Sequence, residues 1–289
     1  MQMRPKKVFV WIALSLAVLY CANLGYSFVV SGNKLRQPLM QPHLDNFDTI
    51  TNPIEGLILG GSNALYGLSA DLLSEGLGTR FYNFSFPGEA SSLENYDALL
   101  ETAATVADFS EVRAVIWSSI EFYHAQYRPG IAGNRATNRL LSVFPNESLL
   151  RSIWMRLGKA ESSQSRSITP SGDLDFALFH CTGASSTQLS LRPNPAYLSY
   201  IAQVIVILRS RFPKASVVIV APPLFEPSKA PQQYLLDVQS VVKGLDAEFI
   251  FQAEIESQDQ ICDAYHHPNA FGRATRTLEL VNILNREVD

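Results

Sequence analysis

The sequence predicts a three-layer α/β/α domain built on a parallel sheet and preceded by one N-terminal transmembrane helix. Three observations carry this expectation. From Ile54 onward, short apolar runs alternate with longer stretches of helical apolar spacing, and parallel strands need long crossovers that are usually helical. The run "ASVVIVAPP" at 215–223 is centred on an unbroken β-branched stretch, 217–220, as expected of a strand covered on both faces. Residues 8–30, "VFVWIALSLAVLYCANLGYSFVV", carry no charge and follow Arg4, Lys6 and Lys7.

About 20 apolar residues cross the hydrocarbon layer of a bilayer, so 8–30 is long enough to span. The cations ahead of it hold residues 1–7 in the cytoplasm and send the rest to the far side. A cleaved signal peptide is the other reading, but Tyr20 occupies the place where a small side chain is wanted if cleavage follows Ala22. Residues 31–53, polar and proline-bearing without a clear period, read as a tether. The domain proper is then 54–289.

Its elements follow in order. "GLILGGSNALYGLSADLLSEGL" reads as strand, tight turn and helix; "RFYNFSF" as a strand running into a turn at Pro87 and Gly88; "SSLENYDALLETAATVA" as a helix capped by Ser91 or Ser92. "RAVIWSSI" is the third strand. A helix at 195–211 precedes the "ASVVIVAPP" strand, "QQYLLDVQSVVKGLDA" is another helix, "EFIFQ" a short strand, and "FGRATRTLELVNILNRE" the closing helix. Residues 128–194, rich in Ser, Asn and Gly with a helix around "ESLLRSIWMRL", read as an insertion or lid.

With 47% hydrophobic residues the 289-residue chain can bury a sizeable core, and a net charge of −4 gives no basic field for nucleic acid. Cys181 and Cys262 fall on the exported side, where a disulfide persists. A bridge between them would pin the segment that begins at Asp263; two buried free thiols are the alternative.

Open parallel sheets bind ligands beyond the carboxyl ends of their strands, and three such ends carry candidate chemistry. Ser62, in "GGSNALYG", either caps a helix or faces the crevice as a nucleophile beside backbone N–H groups. Gly88, in "NFSFPGEASS", can bring its N–H to a ligand. "DAYHHPNAFG", 263–272, sets an acid ahead of two histidines that can supply the base a serine needs. A metal held by Asp263, His266, His267 and Cys262 is disfavoured because adjacent histidines diverge and no distant pair supports them. His43, His124 and His180 read as structural or solvated, with His124 placed to line the crevice.

Together these pieces resemble the SGNH (GDSL) hydrolase superfamily over about residues 54–285. Ser62 matches its first block, Gly88 its second, and Asp263 with a histidine its last. The resemblance implies an SGNH-hydrolase-like, flavodoxin-like sheet. It also implies a catalytic triad of Ser62, Asp263 and His266, an oxyanion hole from the N–H groups of Ser62 and Gly88, and no cofactor or metal. His266 is favoured by the three-residue spacing from the acid, while His267 opens the "HPNxxG" string and is the alternative base. The third block departs from the family: "VIWSSIEFYH" lacks the usual asparagine, leaving Ser118 or Ser119 as substitutes.

Such a departure is similar to membrane-anchored, extracytoplasmic branches that move acyl groups on cell-envelope polymers. The resemblance therefore implies a serine esterase or O-acyltransferase acting on envelope polysaccharide. Its partners would be the membrane, an acyl-ester or polysaccharide substrate and other envelope-assembly proteins, with nucleic acid excluded. A membrane-tethered polymer-binding or assembly protein on a degenerate hydrolase fold is the rival expectation.

Overall fold

In the computed structural model the described residues are 39–87, 93–119, 167–181, 195–222, 232–251, 258–264 and 266–288, with Ser15, Val18, Tyr20 and Cys21. Contacts divide the chain into two units, one of Met1–Arg36 with Ile131–Ser165 and one of Gln37–Gly130 with Arg166–Asp289. In the first unit the four described residues are helical and exposed. Among the described residues no helix is long and apolar enough to cross a membrane; the expected span otherwise lies outside them. The expected helix around "ESLLRSIWMRL", and also Gly88 and His124, fall outside them too.

The second unit holds a parallel sheet of β1 (Gly56–Gly60), β2 (Phe81–Ser85), β3 (Ala114–Ser118), β4 (Ser216–Val220) and β5 (Glu248–Ile250), in the order β2-β1-β3-β4-β5. That order reverses direction between β1 and β3, and the gap at such a reversal is where doubly wound sheets bind ligands. The expected parallel α/β architecture is therefore present. Its helices are α1 (Met40–Thr49), α2 (Ser62–Gly67), α3 (Ala70–Leu77), α4 (Leu93–Ala103), α5 (Pro195–Arg211), α6 (Gln232–Gly244) and α7 (Ala270–Val288).

Alternation along the strands divides the core into two layers. Leu57, Leu59, Val115, Trp117, Val217 and Ile219 face Phe47 of α1, Leu99 and Leu100 of α4, Val204 and Leu208 of α5, and Val238 of α6. Ile58, Ile116, Val218 and Val220 face Leu73 of α3 and Leu280 and Val281 of α7. Burying each such aliphatic side chain contributes about 2 kcal/mol, so neither face of the sheet is spared for solvent.

Two expectations meet a different outcome. The stretch expected as a tether contains α1, whose Met40, His43 and Phe47 are buried together with Leu39 just ahead of the helix. Spacing of 40, 43, 44 and 47 is a helical stripe, hidden in the sequence because a histidine stands where an apolar letter is sought. His43 packs edge-on against Tyr82, Phe84 and Phe86, and its Nδ1 lies 2.9 Å from Tyr82 Oη.

Of the stretch expected as an insertion or lid, 167–181 reaches the core through Gly172, Asp173, Leu174 and Phe179. Leu174 and Asp173 are almost fully buried, and Ser171 O accepts from Asn83 N at 2.9 Å beside β2. Asp173 accepts from Ser69 Oγ at 2.7 Å, Ala70 N at 2.8 Å and Asn83 Nδ2 at 3.1 Å. It supplies a carboxylate to the first turn of α3, where free N–H groups need acceptors. Burial pushes its carboxyl up, against the pull of Arg273 and these donors.

Candidate active site

The site starts with a glycine. Gly60 closes β1 at φ +137°, and a Cβ there would lie 1.9 Å from Ser118 O. Without a side chain at Gly60, the β1 and β3 ends lie close enough for Gly61 N to donate to Ser118 O at 3.2 Å. Tyr96 Oη accepts from Gly60 N at 2.8 Å and donates to Phe84 O, while Phe86 N donates to Gly60 O at 3.0 Å. The carboxyl ends of β2, β1 and β3 are thus tied together beneath the turn that follows.

That turn presents Ser62. Gly61 occupies the N-cap position of α2 and no side chain caps the helix, so the capping role open to Ser62 in the sequence is not the one it takes. It is the first helical residue and half-buried. As the opening residues of the helix, Ser62 and Asn63 have N–H groups with no partner inside it. Sequence reading foresaw one helix after the turn. Instead α2 ends at Gly67, Leu68 is extended, and Ser69 starts α3 with its side chain accepting from Leu72 N.

The residues expected as acid and base lie in the loop before α7. Cys262 N donates to His267 O at 2.8 Å and His267 N to Ala264 O at 2.9 Å, closing a tight turn between paired residues Ile261 and Pro268. Across this turn Asp263 Oδ1 lies 2.6 Å from His267 Nδ1. A carboxylate only accepts hydrogen bonds, so Nδ1 is the donor and a neutral ring carries its lone pair on Nε2. His267 is 9% exposed, and its Nε2 is buried with no hydrogen-bond partner.

The "PNAFG" string explains this position. Asn269 Oδ1 accepts from Phe271 N at 3.1 Å and Gly272 N at 3.0 Å, capping α7. A Cβ on Gly272 would lie 2.8 Å from Gln260 O. Cap and close approach fix α7 on the loop, and His267 stands two residues before the cap. The four-residue interval from Asp263 to His267 is therefore set by the helix start, whereas the three-residue interval to His266 was the one favoured in the sequence.

Two residues that sequence reading passed over join this loop to the serine helix. Asn63 Nδ2 donates to His266 O at 3.1 Å. Tyr66 stacks on His267 with ring centroids 4.2 Å apart and planes 12° apart. Residues four apart share a helix face, so Tyr66 holds the imidazole on the side of α2 that carries Ser62. The signal was present in the spacing of Ser62 and Tyr66, but Tyr66 read as one more apolar letter. His266 meets His267 edge-on at 4.2 Å.

Of the substitutes for the missing asparagine, Ser118 and Ser119 are both buried at the β3 end, and Ser118 Oγ has no hydrogen-bond partner. Cys181 and Cys262 form a disulfide with Cα atoms 4.6 Å apart. It ties the acid's neighbour to the 167–181 segment and removes Cys262 from any set of metal ligands. Among the described residues no cluster of three His, Cys, Asp or Glu side chains is arranged to hold a metal.

No family model matches this chain. No curated protein matches it either. Among solved structures, a carbohydrate esterase family 2 enzyme with a carbohydrate-binding domain from Corynascus thermopiles (Myceliophthora fergusii) is similar at 15% identity and TM-score 0.45, over 83% of this chain and 68% of that one. A family two carbohydrate esterase from Clostridium thermocellum is similar at 11% and 0.45, over 82% and 66%. The periplasmic domain of a lipopolysaccharide acetyltransferase from Salmonella ser. Paratyphi A is similar at 8% and 0.44, over 94% and 97%. At such identities and TM-scores these likenesses assign neither residues nor activity, and the chemistry of the site rests on its own atoms.

Proposed function

We propose that this protein is a serine-dependent acyl-ester hydrolase or O-acyltransferase, with Ser62 as nucleophile, His267 as base and Asp263 as the orienting acid. The observation that carries the reading is the buried, unpartnered Nε2 of His267. Its ring is held through Nδ1 by Asp263 and laid by Tyr66 against the helix that opens with Ser62. An imidazole so placed is a general base in search of a proton.

In the proposed reaction His267 Nε2 takes the Ser62 hydroxyl proton as Oγ attacks the ester carbonyl. The Ser62 N–H receives the oxyanion, joined by Gly88 as the SGNH resemblance implies. The alkoxy group leaves with the proton from His267, and the acyl-serine is then resolved by water or by a sugar hydroxyl. Ser62 Oγ does not hydrogen-bond His267 Nε2; catalytic contacts of this kind often tighten only in the substrate complex.

The polysaccharide substrate and the extracytoplasmic placement belong to the same proposal. Support comes from the charge-free stretch 8–30 behind three cations and from the Cys181–Cys262 disulfide, a bond that persists in oxidising compartments. The second reading, a tethered polymer-binding protein, draws on the absence of a hydrogen bond between Ser62 Oγ and His267 Nε2 and on the missing third-block asparagine. Acetyl-ester turnover by the exported domain separates the two. Activity that falls by three or more orders of magnitude in Ser62→Ala, as loss of a triad nucleophile gives, supports the enzyme; a folded wild-type domain with no turnover supports the binding protein.

A further inference from the structure

We propose that Tyr66 is a positioning residue for the reaction, acting through the face of its ring on the charged form of His267. The inference rests on the serine-esterase reading and deepens it. The tyrosine is fully buried, and its ring lies parallel to the imidazole at 4.2 Å and 12°. Phe179 meets the same ring edge-on at 5.6 Å and 87°, and Phe176 at 6.2 Å and 74°. Tyr66 therefore has no freedom to turn away from the histidine.

Two neutral rings in a parallel stack share a modest attraction that does not depend on charge. An imidazolium over the same face is attracted to it. His267 gains that charge only when it has taken the serine proton, so the contact strengthens on the way to the transition state and weakens again when the leaving group is protonated. An interaction of this timing raises kcat and leaves substrate binding alone. Asp263 acts on the same charge from the ring's Nδ1 edge, and Tyr66 from its face, where no second carboxylate has to be buried.

The test replaces Tyr66 by phenylalanine and then by phenylalanines of increasing ring fluorination, which drain the negative face while nearly keeping its shape. Acetyl-ester kinetics are read for each, with fluorophosphonate labelling of Ser62 as an independent measure of the nucleophile. With Tyr66→Phe as the reference, the trifluorinated ring is expected to lower kcat roughly tenfold at unchanged KM, the scale of a desolvated cation–π contact. Ser62-dependent turnover that is indifferent to fluorination would overturn the role of Tyr66 and leave the esterase standing. Turnover that survives Ser62→Ala would overturn both. A Tyr66→Leu variant that fails to fold leaves the fluorinated series to decide, since each member fills the same space.

Discussion

Which of two neighbouring histidines Asp263 holds is decided by one hydrogen bond and one helix cap. Asp263 binds Nδ1 of His267 at 2.6 Å, and Asn269 caps α7 two residues further on. His267→Ala is expected to cost at least three orders of magnitude in kcat/KM, as removal of a triad base does. His266→Ala should cost less than tenfold, because the described link from His266 to the serine helix runs through its backbone oxygen; steady-state kinetics of the pair check this. His43 supplies a second prediction. Burial pushes its imidazole down to about 3 from 6.5, with a partial counter-pull from the Ser85 backbone. The unfolded chain then binds a proton that the folded one refuses, so stability is lost as pH falls from about 6.5 toward 3, at about 1.4 kcal/mol per unit. In urea titrations between about pH 6 and pH 4, His43→Phe should lose that slope. Asp173, pushed up by burial, contributes a slope of opposite sign that both proteins share.

Elements were readable in the sequence wherever one residue type dominated them. The strands stood out because β-branched and aromatic runs such as "SVVIV" and "FYNFS" have few other uses. Helix α1 was hidden because its stripe includes His43, and polar Asn46 donates to Thr169 O and Tyr82 Oη from the same element. The break between α2 and α3 was hidden because Leu68 and Ser69 continue a helical spacing, and the partners that hold the second start, Asp173 and Thr277, lie some 100 and 208 residues away. The turn that carries Ser62 and the pairing of Asp263 with a histidine were legible; which histidine Asp263 binds was not, since cap and turn geometry are settled by where α7 docks. The disulfide works at this scale. It closes a separation of 81 residues beside the acid, and a loop of that length costs the unfolded chain about 4 kcal/mol of stabilising constraint when released. Mild reduction should lower the urea midpoint accordingly and lower esterase activity at denaturant-free conditions, read together on one sample.

At the scale of the whole molecule, a doubly wound sheet brings three remote segments to one end: the turn after β1, the end of β3 and the loop before α7. The segment 167–181 supports that convergence from the side, with Phe179 against Tyr66, Leu174 O accepting from Arg273 at 2.9 Å, and the Arg273 guanidinium 4.6 Å over Phe176. Each braces the end of the sheet that carries Ser62 and His267, whose Oγ and Nε2 are not hydrogen-bonded to each other. The most direct measurement is the mapping by peptide mass of a fluorophosphonate adduct on the domain from residue 37 onward. The account predicts one adduct, on Ser62, formed at a rate that His267→Ala abolishes and His266→Ala leaves largely intact. A folded domain that takes no adduct at Ser62, or one labelled equally well without His267, would contradict it.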